Sequence, residues 1–256
     1  MNKVIEAKGL CKSFIINKRT TNVLKNIDLS IEEGEMIAIM GPSGSGKSTL
    51  LYCVSGMDSV TSGEVLFGER NMAKMKGKEL AKMRLDDMGF IFQQMYMMKN
   101  LTVLDNIILP AVKSKKKKEN RPAIERRGRD LMHRLGIDTI GDNDINEVSG
   151  GQLQRACICR SLINSPKIIF ADEPTGALNR ASSDEVMKEL ININHDGTTI
   201  MCVTHDPKVA AKCTRVIYLI DGSIVGEKTL GSFDGSEKAL KDREREVNGW
   251  LMEQGW

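Results

Sequence analysis

The stretch that decides the fold is Met36-Ile37-Ala38-Ile39-Met40-Gly41-Pro42-Ser43-Gly44-Ser45-Gly46-Lys47-Ser48-Thr49. An apolar strand ends at Met40, and a loop of small residues leads into a helix that begins near Lys47. The glycines let successive backbone N–H groups point inward toward phosphate oxygens, and the helix N-terminus adds partial positive charge. The spacing therefore predicts a phosphate loop for a nucleoside triphosphate, with contacts from Ser43, Gly44, Ser45, Gly46, Lys47, Ser48 and Thr49.

Two side chains of this loop have specific expected roles. Lys47 is expected to reach the β- and γ-phosphates, and the Ser48 hydroxyl can ligate Mg²⁺. The alternative is a flexible Gly/Ser loop without a ligand. The complete G-x-x-x-x-G-K-S spacing between a strand and a helix favours the phosphate loop.

A second element of the site is predicted at Ile168-Ile169-Phe170-Ala171-Asp172-Glu173-Pro174. The apolar residues indicate a buried parallel strand, and ligands of open α/β sheets bind at the carboxyl end of such strands. Asp172 suits a contact with Mg²⁺ as a hard oxygen ligand. Glu173 is expected to face the γ-phosphate, where it can orient or deprotonate the attacking water. The alternative is a pair of solvated carboxylates at a strand end.

A third block, Val148-Ser149-Gly150-Gly151-Gln152, completes a recognisable set of motifs. Together the blocks resemble the nucleotide-binding subunit of an ATP-binding cassette (ABC) transporter over residues 1 to about 228. The third block resembles the family's signature motif, usually written LSGGQ, with Val148 in the first position. The resemblance implies that this motif acts in trans, on ATP held by a second copy of the chain, through Ser149, Gly150, Gly151 and Gln152.

The resemblance implies roles for four further residues. Gln93 matches the glutamine that contacts Mg²⁺ and senses the membrane partner, so the implied metal ligands are Ser48, Gln93 and Asp172. His205 matches the switch histidine that hydrogen-bonds the γ-phosphate and joins Glu173 as a catalytic residue. Phe14 lies where the family places an aromatic residue, often tyrosine, that stacks on adenine. Asn179 stands in the D-loop where the family usually has aspartate, so it keeps the size and hydrogen bonding but loses the charge.

The pattern along the chain predicts an α/β fold. It resembles the P-loop NTPase ABC cassette, with a mostly parallel central sheet, an antiparallel β subdomain and an inserted helical subdomain. The cassette is predicted over residues 1–228, its helical subdomain over about 98–160, and a C-terminal helical extension over 229–256. Short strands are predicted near Val4–Ala7, Ile27–Ile31, Met36–Met40, Val65–Phe67, Met88–Phe92, Ile168–Ala171, Thr199–Val203 and Val216–Ile220.

Motif-level resemblance places the chain in the branch that includes macrolide exporters, lipoprotein-releasing systems and the cell-division pair. It is most similar to the bacitracin and lantibiotic resistance (Bce-type) proteins. The implied function is an ATPase that uses ATP and Mg²⁺ to power an FtsX-like permease for antimicrobial-peptide resistance or export. An ATP-gated structural clamp and a lipoprotein or macrolide export ATPase are the alternatives. The implied partners are a second copy of the chain, the permease and a sensor kinase.

Composition agrees with a peripheral protein at the cytoplasmic face of the membrane. The net charge is +3, from 37 basic and 34 acidic residues, which argues against nucleic-acid binding through charge. The six cysteines form no C-x-x-C pair and are expected to be buried free thiols of a reducing compartment. No stretch reaches the roughly 18 apolar residues needed for a membrane span, and no apolar signal-peptide core is found.

Two local features bear on partners. Met88, Met95, Met97 and Met98 cluster with Tyr96 beside Gln93, and the sequence allows either core packing or an adaptable docking surface. The run Lys113–Lys118 allows either a solvated loop or attraction to anionic lipid, worth about 1 kcal/mol per lysine close to the surface.

Overall fold

Two β-sheets form the framework of the molecule, which the computed structural model describes over residues 2–16, 18–114 and 119–256. The strands are β1 Lys3–Ile16, β2 Arg19–Glu32, β3 Met36–Met40, β4 Ser62–Phe67, β5 Arg70–Asn71, β6 Met88–Phe92, β7 Ile168–Asp172, β8 Thr199–Val203, β9 Arg215–Ile220 and β10 Ser223–Thr229. The helices are α1 Lys47–Val54, α2 Gly77–Asp87, α3 Val103–Lys113, α4 Arg121–Arg134, α5 Gly150–Leu162, α6 Arg180–His195, α7 Pro207–Ala210 and α8 Glu237–Glu253.

The larger sheet has six strands in the order β10-β9-β3-β8-β7-β6. All neighbours are parallel except β9 and β10, which form an antiparallel pair. The three central strands β3, β7 and β8 are buried along their whole length, as expected for parallel strands covered on both faces.

The smaller sheet is antiparallel, in the order β2-β1-β4-β5, and it covers one face of the larger sheet. Alternate side chains of β3 point to opposite faces of the larger sheet and belong to two separate hydrophobic clusters. Ile37 and Ile39 pack with β1, β2, β4 and α1, whereas Met36, Ala38 and Met40 pack with the helices on the other face. The two-residue period of a strand thus lets one short apolar segment serve two hydrophobic clusters.

The helices α3, α4 and α5 pack on one another, and α5 also packs on β6 and α6. These three helices fall largely within the range predicted as a helical subdomain. In the lysine run between α3 and α4, residues 115–118 lie outside the described residues. Within the described ranges, no helix combines the length and the apolar character that a membrane span requires.

The C-terminal helix α8 is docked on the cassette. Val247 and Leu251 are fully buried, and the ring of Trp250 meets Tyr218 of β9 edge-on. The guanidinium of Arg243, which is only 9% exposed, donates to the backbone carbonyls of four residues. These acceptors are Ala211, Cys213, Gly231 and Ser232. One buried cation thus fixes α8 to the end of α7 and to the segment after β10.

Candidate functional site

Four parts of the predicted site follow parallel strands whose carboxyl ends lie at the same level of the sheet. The pairs that set this level are Phe92–Asp172, Asp172–Val203 and Val203–Ile39. The loops after β6, β7, β8 and β3 therefore leave the sheet at one edge, where open α/β sheets bind their ligands. These loops carry Gln93, Glu173, His205 and the phosphate loop.

The phosphate loop is held in its curled form by close contact with the turn between β9 and β10. Gly222 N–H donates to the Ser45 carbonyl at 3.0 Å. A Cβ at Gly41 would lie 2.1 Å from the carbonyl oxygen of Leu219, so the backbones meet where only glycine fits. Gly46 precedes α1 with a φ of 102°, in the left-handed region that favours glycine. The sequence of small residues therefore permits the open curl that an N-terminal phosphate site needs.

Lys47 points back into this loop. Its Nζ donates to the carbonyls of Gly41 and Pro42 at 2.9 and 2.8 Å. Burial lowers the pKa of Lys47, while the nearby Glu173 and Asp172 carboxylates act in the opposite direction. The ammonium group is thus held among acceptors that phosphate oxygens can replace.

Asp172, at the end of β7, is only 8% exposed and accepts hydrogen bonds on both carboxylate oxygens. The Ser48 hydroxyl donates to Oδ1 at 3.0 Å, and the Tyr52 hydroxyl donates to Oδ2 at 3.0 Å. Burial, followed by the charge of Asp172, raises the pKa of Tyr52 to about 12. A hydroxyl and a carboxylate side by side form a pair of hard oxygen donors of the kind that Mg²⁺ accepts.

Glu173 follows directly and has a positive φ of 49°, which is uncommon for a residue other than glycine. Its N–H donates to the Val203 carbonyl at 3.0 Å, so the turn is fixed to β8. Its Oε1 lies 2.9 Å from Nδ1 of His205. The side chain of Glu173 is 18% exposed and that of His205 is 69% exposed. A carboxylate and an imidazole in contact at a strand edge can accept and pass a proton.

Gln93 lies at the end of β6 and is exposed. Its Nε2 is 3.0 Å from the position that a Cβ on Gly176 would occupy. The glutamine therefore lies against the loop that follows Glu173. A side chain at Gly176 would displace it.

Phe14 lies on β1, opposite Thr21 of β2, with 36% of its surface exposed. Nζ of Lys12 lies 4.7 Å from the ring centroid. Lys12 is itself buried and is held by Asp58 Oδ1 at 2.8 Å and by the Ser59 carbonyl at 2.7 Å. The cation thus supports one face of the ring through a cation–π contact, and the exposed part of the ring can stack on a base.

The signature motif forms the N-terminus of α5. Ser149 caps the helix: its Oγ accepts from Gln152 N–H at 3.3 Å, and Gln152 Oε1 accepts from Ser149 N–H at 2.8 Å. This reciprocal pair is a capping box, and it explains the Ser-x-x-Gln spacing. Gly150 and Gly151 fill the first turn, where small residues leave the helix N–H groups accessible.

The signature motif and the phosphate loop of one chain lie on separate helices with different neighbours. Helix α1 packs on β1, β2, β7 and β8, whereas α5 packs on α3, α4, α6 and β6.

The signature helix is joined to the D-loop of its own chain. Nε2 of Gln154, which is 1% exposed, donates to the Pro174 carbonyl at 2.7 Å. A Cβ at Gly151 would lie 2.9 Å from Oγ of Ser182. Arg155, in the same turn, pairs with Glu185 of α6 at 2.6 Å. These contacts hold the start of α5 and the start of α6 as one unit.

Asn179 caps helix α6. Its Oδ1 accepts from Ser182 N–H at 3.0 Å, and its carbonyl accepts from the Ser183 N–H and hydroxyl, both at 2.9 Å. The amide thus has a local structural task, since asparagine and aspartate serve equally well as N-caps. This contact accounts for the size and polarity at the position without requiring a charge.

We expect Asn179→Asp to leave the free energy of unfolding and the ATP affinity nearly unchanged, since aspartate also caps α6. Asn179→Ala should lower the free energy of unfolding by about 1 kcal/mol, because alanine cannot accept from Ser182. Urea denaturation and nucleotide titration of both variants measure this. A large loss of ATP affinity in Asn179→Asp would place this loop at the nucleotide instead, and any effect of the charge should appear in turnover or its cooperativity.

Lys12, Tyr52 and Gln154, which contact Phe14, Asp172 and Pro174, are absent from the sequence prediction. Tyr52 follows Ser48 by four residues, so helical spacing alone could have placed its side chain on the same side of α1. Lys12 and Gln154 have no such local signal, because their partners Asp58 and Pro174 come together only in the folded chain.

Beside Gln93 lies an open groove of about 400 Å³ between α2, β6 and α5. Its lining is mainly apolar and includes Met57, Met88, Phe90, Phe92, Tyr96 and Arg160. Of the clustered methionines, Met88 is buried in the core, Met95 and Met97 are half-buried, and Met98 is 47% exposed. Met88 thus packs in the core and also lines the groove, and docking of a partner on this cluster stays a prediction.

The chain shares its fold with solved ABC cassettes. A structure described as the dimeric structure of MJ0796, a bacterial ABC transporter cassette, is 38% identical, with a TM-score of 0.84, and covers 90% of this chain and 100% of that one. A second, of a post-hydrolysis state of the same cassette bound to ADP and Pi, is 37% identical with a TM-score of 0.83 and the same coverage. The predicted fold class is thereby confirmed.

Sequence relatives agree. The macrolide export ATP-binding/permease protein MacB of Escherichia coli is 42% identical over 227 residues, which are 89% of this chain. The chain spans only 35% of the length of that protein. The bacitracin export ATP-binding protein BceA of Halalkalibacterium halodurans is 42% identical over 222 residues, which are 86% of this chain and 87% of that one. The model of the ABC transporter family matches residues 24–176. With the phosphate loop, the strand-end carboxylates and the signature helix all in place, the chain belongs to the ABC transporter family.

Proposed function

We propose that the chain binds ATP with Mg²⁺ and hydrolyses it to drive a membrane permease of the bacitracin or lantibiotic type. The observation that carries the proposal is the level strand edge, where the phosphate loop, Asp172, Glu173 and His205 meet. Phosphoryl transfer needs positioning and charge stabilisation more than covalent chemistry, and this edge supplies both.

The nucleotide contacts follow from the geometry. Ser43 to Thr49 would surround the phosphates with N–H groups, and Lys47 would exchange its two carbonyl acceptors for phosphate oxygens. Phe14, supported by Lys12, would stack on the adenine. The contact is worth on the order of 1–3 kcal/mol.

Ser48 and Asp172 would hold Mg²⁺, with Gln93 approaching from the loop after β6. The fit is supported by the hydroxyl and carboxylate oxygens 3.0 Å apart. The ion supplies charge neutralisation on the phosphates when it is bound. Glu173 would accept the proton of the attacking water, and His205 would hydrogen-bond the γ-phosphate and orient Glu173 through their 2.9 Å contact.

Assembly of two chains would complete the site. The signature residues Ser149, Gly150, Gly151 and Gln152 present a helix N-terminus that would face the γ-phosphate of a second copy. Two identical chains can then form two equivalent composite sites. The solved dimeric cassettes support this arrangement.

The groove beside Gln93 would receive the permease. Its apolar lining, with exposed Met57 and Tyr96, suits a short amphipathic helix. The chain would then act at the cytoplasmic face of the membrane, and its six free cysteines suit that reducing compartment. The residues 1–228 would form the cassette and 229–256 a helical extension. A sensor kinase is a further proposed partner.

The similarity to BceA favours bacitracin-type resistance. The sequence identity to MacB is the same as that to BceA, so macrolide or lipoprotein export is the second candidate function. An ATP-gated clamp on a membrane protein would use the same motifs. The rate of ATP hydrolysis distinguishes such a clamp from an ATPase that drives export.

The test is to measure ATP hydrolysis of the chain alone and with a candidate permease reconstituted in lipid vesicles. We expect turnover that rises when the permease is present and responds to a bacitracin-like peptide. Stimulation by a macrolide or a lipoprotein instead would favour the second candidate. ATP binding without hydrolysis in every condition would favour the clamp.

A further inference from the structure

Among the described residues, Ser48 and Tyr52 donate hydrogen bonds to the Asp172 carboxylate, and the proposed mechanism uses Ser48 but not Tyr52. It lies one helical turn after Ser48 on α1, so the two hydroxyls face the end of β7 from successive turns. Ser48 donates to Oδ1 and Tyr52 to Oδ2, both at 3.0 Å. Side chains of helix α1 therefore hold both oxygens of the Asp172 carboxylate.

The hydrogen bond between Tyr52 and Asp172 is fixed by the surrounding structure. Asp172 is 8% exposed, and its carboxylate needs donors in place of the water it has lost. The Tyr52 backbone is fixed as well: its carbonyl accepts from the N–H groups of Met57 and Asp58 at 2.9 and 3.0 Å and from the Ser55 hydroxyl at 3.2 Å. Three hydrogen bonds therefore hold the backbone of Tyr52 in place, and its hydroxyl reaches Oδ2 of Asp172 from this fixed backbone.

The two bonds to Asp172 differ in what happens when an ion is bound. Ser48 is itself a proposed ligand, and its hydroxyl must turn an oxygen lone pair toward the metal. The Tyr52 hydroxyl has no competing task, so it can keep its bond to Oδ2 throughout. Groups that hydrogen-bond a metal ligand fix the orientation of that ligand and raise the affinity of the site.

We propose that Tyr52 is a positioning residue that holds the Asp172 carboxylate in the orientation needed for Mg²⁺. The inference rests on the proposed nucleotide site, because it concerns the ion that accompanies ATP. Tyr52 raises the affinity of the site for the metal ion and makes no direct contact with the nucleotide.

The test compares Tyr52→Phe with the wild-type chain in two equilibrium titrations of ATP, one with excess Mg²⁺ and one with EDTA. Phenylalanine keeps the ring and removes only the donor. We expect the same ATP affinity in EDTA and a loss of about 10-fold in the affinity for the divalent ion. Binding of Mn²⁺ to the ATP complex, followed by electron paramagnetic resonance, measures that second affinity without any turnover.

Tyr218→Phe is the matched control, since the Tyr218 ring packs against Trp250 and Trp256 and makes no contact with Asp172 among the described hydrogen bonds. It should leave both titrations unchanged. Equal Mn²⁺ affinity in Tyr52→Phe and wild type would overturn the proposal. Equal losses with EDTA and with Mg²⁺, accompanied by a lower melting temperature, would also overturn it, since they indicate a structural role. Failure of the wild-type chain to bind ATP at all would instead refute the proposed function.

Discussion

Glu173→Gln should lower steady-state ATP turnover at least about 100-fold, because the amide keeps the shape of the side chain but cannot accept a proton. ATP should stay bound, since Glu173 lies beyond the phosphate loop and makes its side-chain contact with His205. The unhydrolysed ATP should then hold two chains together. Phosphate release measures the turnover, and sedimentation velocity with ATP measures the assembly.

The control for this variant is Glu69→Gln, an exposed residue in the turn between β4 and β5. It should behave as the wild type in both assays. Equal turnover in Glu173→Gln and wild type would remove Glu173 from the role of base. A variant that binds ATP yet sediments as a monomer would refute the composite site.

Lys47→Ala should weaken ATP binding by about 10- to 100-fold, because it removes a charge-assisted hydrogen bond to phosphate. In contrast to Glu173→Gln, the loss should appear in the equilibrium affinity. Titration of a fluorescent ATP analogue, with excess Mg²⁺, measures the affinity.

Lys47 also donates to the carbonyls of Gly41 and Pro42, so the melting temperature of the variant has to be measured alongside. Lys238→Ala, an exposed position in α8, is the control for loss of one positive charge. Unchanged ATP affinity in Lys47→Ala, with the fold intact, would contradict the phosphate loop as the binding site.

Sequence predicts the short apolar strands well and the more polar elements poorly. The bounds of β3, β6 and β8 match the prediction, because each is a short apolar run with no competing helical period. Helix α2 is absent from the prediction, since only Met83 and Asp86 are buried along it and no apolar stripe marks it.

The hairpin of β1 and β2 shows a related difference. Each strand has 14 residues, whereas the sequence predicts only Val4–Ala7 and Ile27–Ile31. The first four residues of β2, from Arg19 to Asn22, are exposed and polar, so they lack the alternation that marks a strand. It is formed by pairing with β1, which is a tertiary cause that no local pattern records.

The candidate site likewise contains residues that local sequence predicts and contacts that it does not predict. Lys47, Ser48 and the signature residues follow from local spacing, because a loop or cap needs those residue types at those positions. The contact of Glu173 with His205 spans 32 positions, and that of Tyr52 with Asp172 spans 120. The register of β7 and β8 brings the first pair together, and the packing of α1 on β7 brings the second together. The sequence predicts these elements without their register or packing.

The clamp of Arg243 on four backbone carbonyls has a consequence for synthesis of the protein. The acceptors at Ala211 and Cys213, and the ring of Tyr218, belong to the part of the fold that carries the His205 loop. Their cover, residues 237–253, leaves the ribosome after every strand of the nucleotide edge has been made. Domains fold as units during translation, starting from the N-terminus. The face of β9 that carries Tyr218 therefore stays uncovered until α8 emerges and docks.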